Sequence, residues 1–327
     1  MKTITVVVPT YNEEGNIQGT YDRLRHVFET QLPQYRLEIL YIDNLSTDRT
    51  RAKICSLAEQ DDRVKAIFNA RNFGYSRSIY YGLSQATGDA AVLMNADMQD
   101  PPEVIPEMVR KWEEGSKVVV GIKNKSRESR ILYFIRQVYY RFIKKISEIE
   151  HIEQYDGFGL YDQSFIRVLR EVRDSNPYLR GIVSELGFCR SEVYYEQDVR
   201  KAGKTKFNFF RLYDVAMLGI TSYSKVFMRL ATFSGLIIGS LSIATAIFTL
   251  VRKLLFWSKF PIGTAAISIG VFFFGGIQLF FIGIIGEYIS NINIRVMGRP
   301  LVVEERRINF PEVEEKKPEN KEECSNG

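Results

Sequence analysis

The sequence has few of the residues on which several classes of protein depend. Its three cysteines, Cys55, Cys189 and Cys324, are far apart and odd in number, so they provide neither a disulfide framework nor a zinc-binding spacing. Its only histidines, His26 and His151, are too few for a histidine metal site or a catalytic triad. Because no signal peptide is recognisable at the N-terminus, we expect the first domain to be cytosolic.

Two nucleotide-binding fingerprints, G-x-G-x-x-G and G-x-x-x-x-G-K-[ST], are also absent. Their absence argues against a dehydrogenase and against a P-loop kinase. The 327 residues allow about two domains. The net charge of +5 is mild, and we predict no nucleic-acid partner.

Strand and helix patterns alternate through the N-terminal third of the chain. The predicted strands are Ile4–Val8, Leu37–Ile42, Val64–Phe68 and Ala90–Met94, and the helices are Ile17–Phe28, Thr47–Gln60 and Ser78–Ala86. We predict Ser46 or Thr47 as the N-cap of the second helix. This order predicts an α/β fold with a mostly parallel sheet and helices on both faces. A further helix, Val104–Glu113, and strand, Val118–Val120, follow.

Polar residues follow each of the first four strands, and these strand ends line one crevice in a parallel sheet. After the fourth strand, Asn95, Asp97 and Gln99 alternate, so that an extended backbone points all three in one direction. Three oxygen-bearing side chains on one face suit Mg²⁺ or Mn²⁺, shared with substrate phosphates. A polar turn after a core strand is the alternative.

A basic segment follows the fifth strand. Its cations are Lys123, Lys125, Arg127, Arg130, Arg136, Arg141, Lys144 and Lys145. Apolar residues are interleaved among them at close to helical spacing, which indicates a helix on a membrane surface. Anionic headgroups or a lipid phosphate would be its partners. The alternative is an ordinary helix that packs on the sheet and exposes its basic face.

Two long apolar runs dominate the C-terminal third. Leu230–Val251 and Ile262–Gly286 contain no charge, and each can cross ~30 Å of hydrocarbon. A signal anchor or a buried core hairpin is the alternative to a membrane hairpin. Basic residues flank the outer ends and favour a cytosolic catalytic domain. Glycines in the second run permit close helix packing, either between the spans or between protomers, and we predict a homo-oligomer through these helices.

These patterns divide the chain into four parts. Residues 1–207 form the cytosolic α/β domain, 208–229 an amphipathic juxtamembrane helix, and 230–290 a two-span hairpin. Residues 291–327 form a cytosolic tail. From Glu304 the tail mixes Glu, Lys, Asn and Pro with few apolar residues, so we predict that it is largely disordered.

Five motifs, in order, resemble those of the family 2 glycosyltransferases. They are Val8–Glu14, Asp43–Asp48, Arg71–Gly74, Ala86–Asp89 and Asn95–Pro102. Within that family the chain is similar, over residues 4–303, to the polyisoprenyl-phosphate glycosyltransferases of the dolichyl-phosphate mannose synthase group. The resemblance implies a GT-A fold, a Mg²⁺ or Mn²⁺ cofactor, inversion, and a nucleotide-diphosphate sugar donor, for which we expect UDP. The implied acceptor is undecaprenyl or dolichyl phosphate in the membrane, the inner or plasma membrane for a bacterial protein.

The resemblance also implies roles for individual residues. The donor site would comprise Pro9, Tyr11, Glu13, Asp43, Asn72 and Asn95. Asp97 would be catalytic and would hold the cation with Gln99 and the Asn95 oxygen. The family usually has Asp at the position of Asn95, so one negative charge is missing from this metal site.

The segment Tyr155–Asp162 resembles the acceptor-site motif of the family. The usual Asp falls on Gly157 and the usual Arg on Gly159, and we predict that Asp156 takes the acidic catalytic role from one position earlier. The acceptor phosphate would be bound by Arg127, Arg130, Arg180, Arg200, Lys204 and Lys206.

Alternative functions remain at this point. Transfer to a hydroxyl of a glycolipid or a growing saccharide is one, and a non-catalytic membrane scaffold that binds a nucleotide sugar is another. A hydroxyl acceptor needs a strong general base, whereas a phosphate is already ionised near neutral pH. The altered acidic motif therefore favours the phosphate acceptor.

Overall fold

The centre of the protein is an eight-stranded sheet in a computed structural model that describes residues 1–124, 152–172, 174–197 and 264–311, with isolated positions between 233 and 255. The strand order is β7-β5-β6-β4-β1-β2-β3-β8. The strands are β1 (Lys2–Thr10), β2 (Tyr35–Asp43), β3 (Val64–Asn69), β4 (Ala90–Leu93), β5 (Val118–Lys123), β6 (Gly159–Asp162), β7 (Arg190–Tyr195) and β8 (Glu304–Ile308). The central strands β4, β1, β2 and β3 are mutually parallel, as predicted.

Helices cover both faces of this sheet. They are α1 (Ile17–Gln31), α2 (Thr50–Gln60), α3 (Tyr75–Gln85), α4 (Ile105–Glu113), α5 (Gln163–Glu171) and α6 (Leu179–Glu185), and a further helix, α7 (Thr264–Val296), follows later in the chain. Alternate residues of β1 face opposite cores, since Val6 and Val8 pack with Leu24 of α1 while Val7 packs with Leu83 of α3. The predicted α/β fold with two covered faces is therefore confirmed.

The C-terminal segment differs from its prediction. Glu304–Ile308 is a strand that pairs antiparallel with β3, so the prediction of disorder from Glu304 is wrong at its start. The physical reason is that β3 would otherwise present an unpaired edge. The charges that suggested disorder are paired instead, since Glu305 contacts Arg51 at 2.8 Å and Glu304 contacts Arg307.

Helix α7 is the one helix of the described residues that is long and apolar enough to cross a membrane. Its candidate span is Ile277–Val296, with a mean hydropathy of 1.3, and no part of that span is buried. This exposure argues against a buried core helix. The predicted second span ended at Gly286 and the predicted domain boundary lay at 290, but the helix continues to Val296.

Several predictions fall outside the described residues. They concern the basic helix after Lys123, the juxtamembrane helix 208–229, and the phosphate-binding residues Arg127, Arg130, Arg200, Lys204 and Lys206. Only isolated helical positions of the predicted first span, 230–251, are described. These expectations stay predictions.

Candidate active site

The strand order places one crevice at the carboxyl ends of the parallel strands. Strand β1 pairs with β2 on one side and with β4 on the other. Strands β2 and β3 are therefore added on one side of β1, and the chain then crosses to add β4 on the opposite side. In open α/β sheets, ligands bind just beyond the carboxyl ends at such a point. The loops after β1 and β4 both lie there, and they contain the predicted metal residues and part of the predicted donor site.

The loop after β1 is tied to the loop after β2. The Asn12 amide nitrogen donates to the Ser46 hydroxyl at 2.9 Å, and the Asn12 side-chain oxygen accepts from the Thr47 amide at 2.8 Å. Asn12 has a φ of 56°, a left-handed conformation that asparagine adopts more readily than most residues. Because Ser46 and Thr47 bridge the two loops, neither caps α2, which begins at Thr50. The predicted N-cap was wrong for this reason.

The predicted donor residues of β1 and β2 differ in exposure. Pro9 is buried, and Tyr11 and Glu13 are half-buried beside the bridged loops. Asp43 is fully buried at the end of β2, where its carboxylate accepts from Arg51 Nε at 2.5 Å and from the Ser46 amide at 3.2 Å. Direct contact between Asp43 and a nucleotide stays a prediction.

Three asparagine side chains join the ends of β2 and β3. Asn69 donates to Asn44 at 3.1 Å, and Asn44 donates to the Asn72 oxygen at 2.9 Å. The Asn72 oxygen also accepts from the Gly74 amide at 2.9 Å, which fixes the turn into α3. Asn72 itself is exposed and lies at the same sheet edge as the β1 loop. Its predicted position near the donor is compatible with this placement.

The loop after β4 does not continue as an extended strand. Met98 has a φ of 61°, so the premise that an extended backbone aligns Asn95, Asp97 and Gln99 was wrong. The three side chains are nevertheless half-buried, while those between them are buried. The Asp97 carboxylate accepts from the backbone amide of Gln99 at 3.2 Å, so both predicted ligands belong to one turn of the chain.

Both polar atoms of the Asn95 side-chain amide form hydrogen bonds. Its oxygen accepts from the Tyr75 hydroxyl at 2.8 Å, and its nitrogen donates to Asp100 at 2.8 Å. The Tyr75 ring is 46% exposed at the start of α3. Asn95 thus links α3 to the buried end of the β4 loop, which its predicted role as a metal ligand did not anticipate.

Asp100 is a buried carboxylate at the floor of the site. It is 1% exposed and accepts from Tyr195 at 2.9 Å as well as from Asn95. Burial, and then the negative charge of Asp156, raise the pKa of Asp100 to about 7. A carboxyl group in this state can hold a proton near neutral pH.

Asp156, the predicted acidic residue of the acceptor motif, lies beside this group. Its carboxylate forms an ion pair with Lys123 of β5 at 2.5 Å and accepts from the Phe158 amide at 3.3 Å. The negative charges of Asp156 and Asp100 oppose ionisation of the Tyr75 hydroxyl, and the positive charge of Arg180 favours it. Asp156 and Arg180 therefore act electrostatically on the same tyrosine that contacts Asn95.

Local geometry explains why glycine occupies two positions of the predicted acceptor motif, Gly157 and Gly159. Gly159 packs against β5 so closely that a Cβ atom would lie 2.6 Å from the Val119 oxygen, so an arginine cannot stand there without moving the backbone. Gly157 has a φ of 116°, in the region that favours glycine. Asp156 precedes these glycines, whereas Asp162, the other carboxylate of the motif, contacts Trp112, Ser164 and Lys117.

Among the residues that the structure describes, the site has too few protein ligands to enclose a cation by itself. In the part of the chain that the structure describes, no group of three or more His, Cys, Asp or Glu side chains could hold a metal. Asp97 and Gln99 supply a carboxylate and an amide oxygen on one half-exposed turn. Mg²⁺ is commonly bound by one or two carboxylates together with substrate phosphates, so these residues fit a cation shared with a donor diphosphate.

Sequence reasoning missed Asp100, Tyr75 and the pairing of Lys123 with Asp156. In the sequence, Asp100 was only one member of the motif Asn95–Pro102, and Lys123 was only the first cation of the basic segment. Tyr75 follows Gly74 at the same sheet edge as the other candidates, and that position was a signal that could have included it. The burial of Asp100 depends on Tyr195, which is distant in sequence, and no local pattern reports it.

The mostly parallel sheet, with a polar crevice at the carboxyl ends of its strands, is an α/β architecture of the GT-A type. The chain belongs to glycosyl transferase family 2, whose family model matches residues 5–172. It is 34% identical to the uncharacterized glycosyltransferase YkcC of Bacillus subtilis, over 91% of this chain and 92% of that protein. It is also 34% identical to the SfII prophage-derived bactoprenol glucosyl transferase of Shigella flexneri, over 91% of this chain and 96% of that protein.

Among solved structures, the mannosyltransferase PcManGT from Pyrobaculum calidifontis, in complex with GDP-Man and Mn²⁺, is similar over 91% of this chain and 88% of that chain. The sequence identity is 14% and the TM-score is 0.45. This similarity is too low to bear on function.

Proposed function

We propose that the protein transfers a single sugar from a nucleotide-diphosphate sugar, UDP-linked, to a polyisoprenyl phosphate at the cytosolic face of a membrane. The observation that carries the proposal is the continuous polar edge that joins the ends of β1 to β4 and ends at the ion pair of Asp156 and Lys123. The family membership and the bactoprenol glucosyl transferase among the relatives support the same reaction class.

The donor would lie across the carboxyl ends of β1 and β2. Tyr11 and Glu13 would border the nucleotide, and Asn72 would approach it from the loop after β3. Asp97 and Gln99 would hold a divalent cation, which when bound would offset the negative charge that grows on the departing diphosphate. Asn95 would act mainly through its contacts, because its amide group holds both Tyr75 and Asp100 in place.

The acceptor phosphate would be placed by cationic groups on the other side of the crevice. Lys123 and Arg180 are the described candidates, and Arg127, Arg130, Arg200, Lys204 and Lys206 are predicted to join them. Asp156 would position Lys123 through their ion pair and has little proton to remove from a phosphate. The phosphate oxygen would then attack the anomeric carbon directly, with inversion, because no activated nucleophile is recognisable in the sequence.

The membrane placement rests on the apolar helix α7. Its candidate span and the predicted run at 230–251 would form a two-span hairpin that holds the catalytic domain at the cytosolic surface. The glycines of the second run would support a homo-oligomer. This arrangement brings the reaction centre to the depth at which a lipid phosphate is found.

The test is incubation of membranes that contain the protein with a panel of radiolabelled nucleotide sugars, followed by lipid extraction. We expect label in a lipid that releases its sugar in mild acid, as a glycosyl phosphate does, and only with added polyisoprenyl phosphate. The metal-site variant Asp97→Asn is tested in the same assay. Its matched control is Asp62→Asn, because the Asp62 side chain is 86% exposed. Label in an acid-stable glycolipid would favour the hydroxyl acceptor, and binding without transfer would favour the scaffold.

A further inference from the structure

A cavity of about 430 Å³ lies where the C-terminal end of α7 meets the loop before α3. Three arginines line it, Arg71 and Arg77 from the loop and first turn of α3, and Arg299 just after α7. The site described above does not use any of the three. Their convergence from two distant parts of the chain makes this a candidate binding site.

The cavity has positive charge without a matching carboxylate. Its lining residues include no Asp or Glu, and in the described part of the chain none of the three guanidinium groups forms an ion pair. The neighbouring Asp174 contacts Arg295 at 3.3 Å, and Arg71 lies 4.6 Å from the centroid of the Phe73 ring. Three cations that converge in this way repel one another, and an anion between them would remove the repulsion.

Apart from Ser175, the remaining lining is apolar, and part of it lies at the end of the candidate span. Ile294 comes from the end of the candidate span, and Met297 and Val303 follow it. Met297 and Val303 are each 49% exposed. Cations beside exposed apolar groups at the end of a membrane helix suit a lipid, whose phosphate and first methylene groups are adjacent.

The first turn of α3 separates this cavity from the reaction centre. Tyr75 and Arg77 are two residues apart, and such positions on a helix do not face each other. Tyr75 contacts Asn95 in the candidate active site, whereas Arg77 lines the cavity. An occupant of the cavity would therefore not be in line with the reacting sugar, which argues against the acceptor lipid.

We propose that this cavity binds the phosphate headgroup of an anionic glycerophospholipid, and that the bound lipid holds the loop Arg71–Tyr75 in place. The inference rests on the proposed membrane placement and not on the proposed reaction. Binding can be measured without any sugar donor, so its failure is distinguishable from failure of the transfer reaction.

The experiment is isothermal titration of the detergent-solubilised full chain with short-chain phosphatidylglycerol, with short-chain phosphatidylcholine as the neutral probe. We expect saturable binding of phosphatidylglycerol alone. Each of Arg77→Gln and Arg299→Gln should weaken it roughly fivefold, because one cation near a lipid surface contributes about that factor. Arg77→Lys should retain most of the affinity, and Arg36→Gln, 60% exposed on β2, should retain all of it.

Three results would overturn the proposal. Equal affinity of wild type and Arg77→Gln/Arg299→Gln for phosphatidylglycerol would show that the cavity is not the site. Displacement of the lipid by millimolar inorganic phosphate would identify a site for free phosphate. A rise in the KM for the polyisoprenyl phosphate in pure phosphatidylcholine vesicles, in proportion to the loss of lipid affinity, would assign the cavity to the acceptor.

Discussion

The Asn95 side-chain nitrogen donates to the buried carboxylate of Asp100 at 2.8 Å. This contact changes the expectation for the position where the family usually has Asp. An aspartate there would restore a metal ligand, but it would also place two carboxylates at hydrogen-bond distance in a buried setting. The identity of residue 95 is therefore coupled to Asp100 as well as to the cation.

We predict that Asn95→Asp lowers the stability of the metal-free protein by about 1–3 kcal/mol, because Asp100 loses one of its donors and gains a neighbouring like charge. Mn²⁺ should raise the melting temperature of the variant more than that of wild type, since a cation offsets the added charge. Thermal unfolding in detergent, with chelator or with Mn²⁺, measures both effects. An unchanged melting temperature with chelator would contradict the coupling.

Asp97→Asn should lower transfer on the order of 10³-fold, because it removes the carboxylate that would hold the cation. Chelation should lower the activity of wild type to a similar level, and added Mg²⁺ or Mn²⁺ should restore it. Membrane insertion should be unchanged. Near-normal turnover of Asp97→Asn, with Asp62→Asn as the control, would refute the assignment of the metal site.

Asp156→Asn should cost much less than Asp97→Asn, under about 10²-fold, because a phosphate acceptor needs no strong base. Lys123→Met should raise the KM for the acceptor, since Lys123 is the cation paired with Asp156. Kinetics at varied acceptor concentration separate the two effects. If Asp156→Asn were as inactive as Asp97→Asn with donor binding intact, Asp156 would be a true general base.

The stability of the metal-free protein should depend on pH through Asp100. The pKa of Asp100 is raised to about 7 in the folded protein, while an unfolded aspartate has a pKa of about 4. Between these values the folded state retains a proton that the unfolded state has lost, so stability falls as pH rises from about 4 to about 7. Asp100→Asn should lack this component. The measurement is the melting temperature of wild type and of Asp100→Asn, with chelator, across this pH range. If the two melting temperatures changed with pH in parallel, Asp100 would not titrate there.

The topology prediction concerns both ends of the chain. Tags at the N-terminus and at Gly327 should be inaccessible from outside intact cells, and a tag near Ser258 should be accessible, because two spans return the chain to the same side. Labelling by a membrane-impermeant reagent measures this. If the tags at Ser258 and Gly327 were both protected, neither run would span the membrane.

Local sequence was sufficient for the alternation of strands and helices. The apolar periods that define β1 to β4 and α1 to α4 depend on neighbours within one turn or one pleat, and the structure has these elements within a few residues of the predicted bounds. The five ordered motifs identified the family for the same reason, since each is a short run at a strand end. The sequence alone also showed that Asn95 stands where the family usually has Asp.

The tertiary structure decided what these residues contact. Asp100 is buried because Tyr195 of β7 reaches it across the sheet, and Glu304–Ile308 is ordered because β3 offers an open edge. Arg299 is separated by most of the chain from Arg71 and Arg77, and the three converge only where the end of α7 meets the start of α3. Burial, edge pairing and convergence depend on residues far apart in sequence, so composition and periodicity fixed the elements while the packing between them fixed the charges and contacts of the site.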